Sequence, residues 1–258
     1  MKTRLLLLFC LSIHVLFAQN SDERLQGFAA EIDSLMKEFH TVGMAVAVME
    51  KGEVLFLKGF GYRNNEEKLP VDPNTLFPIA SVSKPLTASL IGIYDGRDLL
   101  RLRDRPQQHL EYLRFYNDEM DNLVTIEDLL SHRSGIGNVD ATHVFFPTDD
   151  LRQHLERLRY IKPNAQVRDG FWYSNMGYAV LGGVTEAITG KSWSENIREE
   201  IFKPLEMKRS NCTLEELQED ENHSLGYSVA NEKAVQVGYE DQHESYAAAA
   251  VNSTANDL

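Results

Sequence analysis

The chain has 258 residues, of which 43% are apolar, so it is long enough for one large domain or two small ones with a substantial core. This apolar content excludes a wholly disordered chain, and 16 Gly with 8 Pro exclude a collagen-like one. The 39 acidic residues outnumber the 26 Lys and Arg, which gives a net charge of −13. This charge argues against a nucleic-acid partner, because proteins bind nucleic acids mainly through contacts of basic side chains with phosphates.

The first eighteen residues have the pattern of a secretory signal peptide. Lys2 and Arg4 precede an apolar run at 5–17, and Ala18 offers a small residue for cleavage before a polar stretch. The apolar run is shorter than the ~20 residues that a membrane-spanning helix needs. We therefore expect a secreted or periplasmic protein whose mature domain is 19–258, with no transmembrane segment after cleavage.

The first half of the mature chain predicts a helix, a hairpin and a second helix. A stripe of apolar residues indicates an amphipathic helix over 22–40, formed by Leu25, Phe28, Ile32, Leu35 and Phe39. Strand-like runs at 44–49 and 54–60 are joined around a Lys-Gly pair, which is typical of a hairpin. A polar loop is expected over 64–74, and the apolar segment 86–94 predicts the second helix.

The second half is predicted to be mainly helical, followed by strands. Four helices are expected, at 126–132, at 149–159, at 175–189 and from 193 to just before Pro204. Their starts and stops are marked by a capping box at Thr125, by predicted caps at Thr148 and Ser192, and by Gly190. The segments 225–229 and 234–239 are strand-like.

A Ser-x-x-Lys pattern at Ser81 and Lys84 is the first candidate site. The pattern is common, since Ser34 and Lys37 form a second copy that lies off the apolar stripe of the first helix and is expected to be a solvated face. Ser81 instead precedes an apolar helix, where backbone N–H groups favour developing negative charge. Lys84, one turn later, projects from the same face. The alternative is that Ser81 is a simple helix N-cap and Lys84 is solvated.

A Tyr-x-Asn pattern at Tyr173 and Asn175 is the second candidate site. It also has another copy, at Tyr62 and Asn64, in a polar turn. Tyr173 directly precedes the helix predicted at 175–189, so its phenol could share a proton with Lys84 and pass it to a leaving group. The alternative is a core aromatic residue followed by Asn175 as the helix N-cap.

Taken together, these motifs and their flanks resemble the serine β-lactamase and penicillin-binding-protein superfamily, closest to its class C β-lactamase and D,D-peptidase-like branch. The resemblance runs over about 43–258 and rests on five blocks in the order of that family. The blocks lie at 59–62 with 75–84, at 129–136 (Leu-Leu-Ser-His-Arg-Ser-Gly-Ile), at 171–177 with 181–182, at 201–207 and at 253–258.

The resemblance implies an α/β, β-lactamase-like fold in which an antiparallel sheet is flanked by helices and joined to a mainly helical lobe at about 85–204. It implies a serine hydrolase that forms an acyl-enzyme on an amide, β-lactam or ester carbonyl. Ser81 would be the nucleophile, Lys84 would take its proton, Tyr173 would relay a proton to the leaving group and Asn175 would hold the acyl side chain. The implied substrate is a small molecule or peptide (a β-lactam, a D-Ala-D-Ala peptide or an ester), and no cofactor is implied.

One element of the family's pattern is absent. No Lys/His-Ser/Thr-Gly tripeptide follows Asn175, although the family carries it on a strand that supplies half of the oxyanion hole. We therefore expect the domain 19–258 to lack the C-terminal strands and the closing helix of the family. The alternative function is a non-catalytic penicillin-binding-like protein or an inactive truncated fragment.

Other chemistries find little support in the sequence. The eight His form no His-Glu-x-x-His or other close metal-ligand pair, and Cys212, the single cysteine of the mature chain, can form neither an intrachain disulfide nor a thiolate zinc site. No metal is therefore expected. His132 is interpreted as a residue that shapes a turn.

Overall fold

The computed structural model describes residues 22–137, 148, 150–239 and 245–258. The predicted signal peptide at 1–18 and the predicted first residue of a helix, Asp149, lie outside these residues. The described chain contains a small antiparallel sheet covered by the first helix, and a larger, mainly helical lobe with its own core.

The first helix is shorter than predicted. Glu23–Leu25 forms one 3-10 turn, and α1 runs over Phe28–Glu38. Gly27 separates them with a φ of 84°, a left-handed backbone conformation that glycine adopts without steric cost. The prediction of one continuous helix over 22–40 is therefore wrong at both ends, before Phe28 and after Glu38.

The buried line of α1 also differs from the predicted stripe. Ile32 and Met36 are buried, whereas Leu35 is 46% exposed and Phe39 64% exposed. The helix meets the sheet along a narrow line at i+4 spacing, and it packs mainly on aromatic residues of the second strand. The predicted apolar stripe therefore includes two residues, Leu35 and Phe39, that are exposed in the structure.

The predicted hairpin is present and longer than expected. β1 (Gly43–Glu50) pairs antiparallel with β2 (Glu53–Asn64), and positive φ angles at Lys51 and Gly52 give the turn the twist that favours a hairpin. The loop predicted at 64–74 contains a short strand, β3 (Leu69–Pro70), which pairs with β2. The order is β1-β2-β3, so the outer edge of β1 has no strand partner among the described residues.

The remaining strands form two separate two-stranded sheets. β4 (Phe77–Pro78) pairs with Asn252–Ser253, which is β7. The late strand-like segments form β5 (Gly226–Ala230) and β6 (Lys233–Val237), a hairpin paired only with itself. The late strands therefore do not extend the sheet of β1 and β2.

The helical lobe is built around one buried helix. Its helices are α2 (Ser83–Gly96), α3 (Asp118–Leu123), α4 (Ile126–Leu130), α5 (Leu151–Glu156), α6 (Asn175–Thr189), α7 (Trp193–Ile197), α8 (Leu214–Glu219) and α9 (Tyr246–Ala249). Every residue of α6 from Met176 to Thr185 is buried. Helices α2, α4, α5, α7 and α9 pack against α6. No helix in the described part of the chain is long and apolar enough to cross a membrane.

The predicted boundaries of two helices in the lobe are confirmed. α6 has the predicted bounds, and Gly190 ends it with a φ of 70°. Ser192 forms a capping box with Glu195 at the start of α7, which is followed by one π turn at Arg198–Phe202, so the helical segment ends before Pro204 as predicted.

The other predicted helices have different bounds. α2 runs over Ser83–Gly96 instead of 86–94, and α5 over Leu151–Glu156, followed by a 3-10 turn at Arg157–Tyr160, instead of 149–159. Thr125 and Asp128 form the predicted capping box, but α4 ends at Leu130 because His132 has a left-handed φ of 57°. The N-cap of α5 is Asp150, whose side chain accepts the amide hydrogen of Gln153, so the prediction of Thr148 as the cap is wrong.

Candidate active site

Ser81 lies in a 3-10 turn (Ala80–Val82) directly before α2. Ala80 has a φ of 44°, an uncommon conformation for a residue with a side chain, and such strained turns cluster at functional sites. The N-cap of α2 is Val82, and no side chain caps this helix. Ser81 is exposed, and the interpretation of Ser81 as a simple N-cap is wrong.

Lys84 is 4% exposed, although it carries an amine. Its Nζ lies 2.7 Å from Oδ1 of Asn175, 3.1 Å from the carbonyl oxygen of Ala248 and 3.2 Å from Oγ of Ser81. The alternative of a solvated Lys84 is therefore wrong. The other Ser-x-x-Lys copy, at Ser34 and Lys37, lies exposed on α1 as expected.

Tyr173 approaches Ser81 from the other side of the site. Its hydroxyl donates to Oγ of Ser81 at 2.7 Å, and its ring centre lies 4.6 Å from Nζ of Lys84. Oγ of Ser81 therefore lies within hydrogen-bond distance of both a lysine amine and a tyrosine hydroxyl.

Asn175 is the first residue of α6, and the preceding Ser174 is the N-cap, since its Oγ accepts the amide hydrogen of Gly177. The alternative in which Asn175 caps the helix is wrong, and its Oδ1 instead accepts a hydrogen bond from Lys84. The second Tyr-x-Asn copy was predicted to lie in a polar turn, but Tyr62 and Asn64 lie on β2.

The starts of α2 and α6 and the end of α9 converge at this site. α9 is fixed to α2 by a hydrogen bond from Oγ1 of Thr87 to the carbonyl oxygen of Ala247 at 2.7 Å and by one from the amide of Val251 to Oγ of Ser83 at 3.0 Å. These bonds place the carbonyl of Ala248 beside Lys84. Sequence analysis missed this acceptor because every residue has a main-chain carbonyl, so no residue type indicates it. The run of small residues at 247–250 is the one sequence feature that marks this position.

The segment before Tyr173 is held by the turn that follows α4. The amide of Asn164 donates to the carbonyl oxygen of Gly135 at 2.9 Å, and that of Arg168 donates to the carbonyl oxygen of Arg133 at 2.7 Å. Gly135 has a φ of 83°, and a Cβ there would lie 2.4 Å from a main-chain oxygen of Ala165. This close approach requires glycine at the turn.

A salt bridge fastens the same segment to α4. Nε and Nη2 of Arg168 each donate to a carboxylate oxygen of Asp128 at 2.9 Å, and the Asp128 side chain is 6% exposed. Burial alone would raise the pKa of Asp128, but hydrogen bonds from Arg168 and Thr125 outweigh it, and the pKa lies below its usual value.

Replacing Arg168 with Ala should destabilise the protein, because a buried carboxylate loses its charged partner. We expect a loss of about 1–3 kcal/mol in the free energy of unfolding, less than for a fully buried pair because Arg168 is half exposed. Since the folded-state pKa of Asp128 is lowered, this stabilisation is present above the ordinary pKa near 4 and is lost as the pH falls through the lowered value.

Urea denaturation of both proteins at neutral and acidic pH measures this difference. The matched control is Arg152→Ala, which breaks an exposed pair with Glu156 on α5 and should cost less than about 0.5 kcal/mol. Equal losses for Arg168→Ala and the control would show that the Asp128 pair does not stabilise the site.

The mixed α/β fold is that of a β-lactamase-like protein. The octameric penicillin-binding protein homologue from Pyrococcus abyssi superposes with a TM-score of 0.79 at 27% identity, covering 91% of this chain and 54% of that one. A class C β-lactamase superposes with a TM-score of 0.78 at 22% identity, covering 92% of this chain and 63% of that one, which shows a shared fold.

The family model described as Beta-lactamase matches residues 28–258, and the chain belongs to the β-lactamase family. Penicillin-binding protein 4* of Bacillus subtilis (strain 168) is 29% identical over 202 residues, which cover 74% of this chain and 43% of that protein. The unguisins hydrolase ungD' of Aspergillus campestris (strain IBT 28561) is 32% identical over 206 residues, covering 74% and 37%. The chain therefore spans less than half the length of these relatives, and the resemblance seen in the sequence motifs is confirmed.

Proposed function

We propose that this protein is an exported serine hydrolase that forms an acyl-enzyme on Ser81. The observation that carries the proposal is the position of Oγ of Ser81, 3.2 Å from Nζ of the buried Lys84 and 2.7 Å from the hydroxyl of Tyr173. A nucleophile and its base within hydrogen-bond distance are the requirement for covalent catalysis by serine. Membership of the β-lactamase family and similarity to a hydrolase support the same chemistry.

The arrangement suggests how the protons move. A neutral Lys84 would donate its two N–H bonds to Asn175 and to the carbonyl of Ala248, and its lone pair would take the proton of Ser81. Oγ would then form a bond to the substrate carbonyl carbon. The oxyanion would face the backbone N–H of Ser81, at the start of α2, where the helix dipole favours negative charge.

The remaining steps assign Tyr173 and Asn175. Tyr173 would give its proton to the leaving nitrogen or oxygen as the carbonyl carbon–leaving group bond breaks, and it would regain a proton from Lys84, which holds the proton taken from Ser81. Asn175, whose Oδ1 is held by Lys84, would contact the acyl side chain of the substrate. Water would then hydrolyse the ester on Ser81.

The proposed substrate is a small molecule or peptide with an amide, β-lactam or ester carbonyl, such as a D-Ala-D-Ala peptide. Side-chain and main-chain groups of this protein carry these steps, so the proposal requires no cofactor. Export to the periplasm or the medium follows from the predicted signal peptide at 1–18, and the hydrolase domain would be 19–258. The sequence has no Lys/His-Ser/Thr-Gly tripeptide after Asn175, which favours a non-catalytic penicillin-binding-like protein as the second candidate.

Time-dependent labelling by a fluorescent penicillin and by a fluorophosphonate tests the proposal. We expect the full chain to be labelled on the peptide that contains Ser81, and Ser81→Ala to lose labelling completely. Ser34→Ala, in the other Ser-x-x-Lys copy, is the matched control and should label as the wild type does. Labelling that persists in Ser81→Ala would remove Ser81 as the nucleophile, and a wild type that stays unlabelled would favour the second candidate.

A further inference from the structure

Tyr173 is placed by a segment that has no regular secondary structure. Residues 161–174 contain neither helix nor strand, yet the Tyr173 hydroxyl lies 2.7 Å from Oγ of Ser81. A displacement of about 1 Å in such a group can reduce a rate about 10²-fold. The segment therefore needs contacts from outside itself, close to Tyr173, to keep this hydroxyl in place.

Both residues next to Tyr173 are hydrogen-bonded to His132. The amide of Trp172 donates to the carbonyl oxygen of His132 at 2.8 Å, and the amide of Ser174 donates to its Nδ1 at 3.1 Å. A backbone N–H can only donate, so Nδ1 carries no proton and the neutral ring has its hydrogen on Nε2. One residue thus holds the chain on both sides of Tyr173.

The imidazole ring also packs against the phenol. Its centre lies 4.5 Å from that of Tyr173 and 5.3 Å from those of Phe171 and Tyr178, and His132 is 8% exposed. Burial lowers the pKa of His132, so the ring remains a neutral acceptor near neutral pH. The predicted role of shaping a turn is compatible with its φ of 57°, but it does not use these ring contacts.

We propose that His132 is a positioning residue for Tyr173: its Nδ1 and its carbonyl oxygen accept hydrogen bonds from the amides of residues 174 and 172, so that the Tyr173 hydroxyl stays beside Ser81. The proposal rests on the function proposed above, because Tyr173 must act there as the proton relay. It adds a residue that touches neither Ser81 nor the reacting atoms.

Two substitutions separate the hydrogen bond from the ring. His132→Asn keeps a side-chain oxygen near the position of Nδ1, and asparagine tolerates the left-handed backbone found there. His132→Phe keeps an aromatic ring but has no acceptor for the Ser174 amide. Acylation by the fluorescent penicillin is measured over a concentration series, with thermal melts of both variants. Amide hydrogen exchange at Ser174 is measured against the amides of β5 and β6 as an internal reference.

For His132→Phe we expect the limiting acylation rate to fall about 10–100-fold with little change in the half-saturating penicillin concentration. Exchange at Ser174 should accelerate relative to the reference amides. His132→Asn should remain within a few-fold of the wild type in both measurements, since the acceptor is restored.

Three results would overturn the proposal: a wild-type limiting rate in His132→Phe, unchanged exchange at Ser174 in that variant, or an Asn variant as slow as the Phe variant. A wild type that is not labelled on Ser81 would instead contradict the proposed function. In that case, exchange at Ser174 in the two variants still decides whether His132 holds this segment.

Discussion

Replacing Lys84 with Ala is expected to slow acylation of Ser81 by ~10²–10⁴-fold, the usual cost of losing a general base. The amine is the basic group within hydrogen-bond distance of Oγ of Ser81 in the described site, at 3.2 Å. Without it, the serine proton has no acceptor when the bond to the carbonyl carbon forms. Stopped-flow acylation by the fluorescent penicillin measures the effect directly.

The fold should survive this change, because the main loss is one set of hydrogen bonds. Asn175 and the carbonyl of Ala248 would lose their donor, at a cost of about 1–3 kcal/mol. Lys84→Met keeps the buried aliphatic stem and serves as the second variant, and Lys37→Ala in the exposed Ser-x-x-Lys copy is the matched control. Acylation at a near wild-type rate in both Lys84 variants would remove Lys84 from the mechanism.

Tyr173→Phe should reduce turnover by ~10²–10⁴-fold, because the ring is kept and the group that protonates the leaving atom is lost. The hydroxyl donates to Ser81, which is exposed, so its removal should cost at most about 0.5–1.5 kcal/mol of stability. We therefore expect the variant to melt within a few degrees of the wild type. Steady-state hydrolysis of a chromogenic ester or β-lactam, together with a thermal melt, measures the two effects separately.

Tyr62→Phe is the matched control for this change. It removes the hydroxyl of the other Tyr-x-Asn copy, from a half-exposed tyrosine on β2, and should leave turnover unchanged. Wild-type turnover in Tyr173→Phe would mean that Tyr173 is only a packing residue, and it would leave the proposed mechanism without its leaving-group acid.

Local signals in the sequence were sufficient to predict the boundaries of helices and turns where those boundaries depend on nearby residues. The capping box at Thr125, the cap at Ser192, the stop at Gly190 and the Lys-Gly turn of the hairpin were all predicted. Each depends on hydrogen bonds or backbone angles within a few residues, which the residue types specify directly.

The errors occurred where distant packing decides the outcome. Phe39 completes an apolar stripe in the sequence, but it is exposed because the hairpin beside α1 is too narrow to cover it. The segments 225–229 and 234–239 were predicted only to be strand-like, without a partner, and they form β5 and β6, which pair with each other. Hydropathy shows that a strand has an apolar face, but it does not show which strand lies beside it.

For the site, the sequence by itself identified the candidate residues: Ser81, Lys84, Tyr173 and Asn175 were all candidates from their motifs and from the family resemblance. Motif spacing left a simple alternative open at each position, because Ser and Asn also cap helices and Tyr also fills cores. Only the tertiary structure decided against a capping Ser81, a solvated Lys84 and a capping Asn175. The physical reason is the buried amine of Lys84, which needs hydrogen-bond partners. These partners come from the starts of α2 and α6 and from the carbonyl of Ala248, which are far apart in the chain.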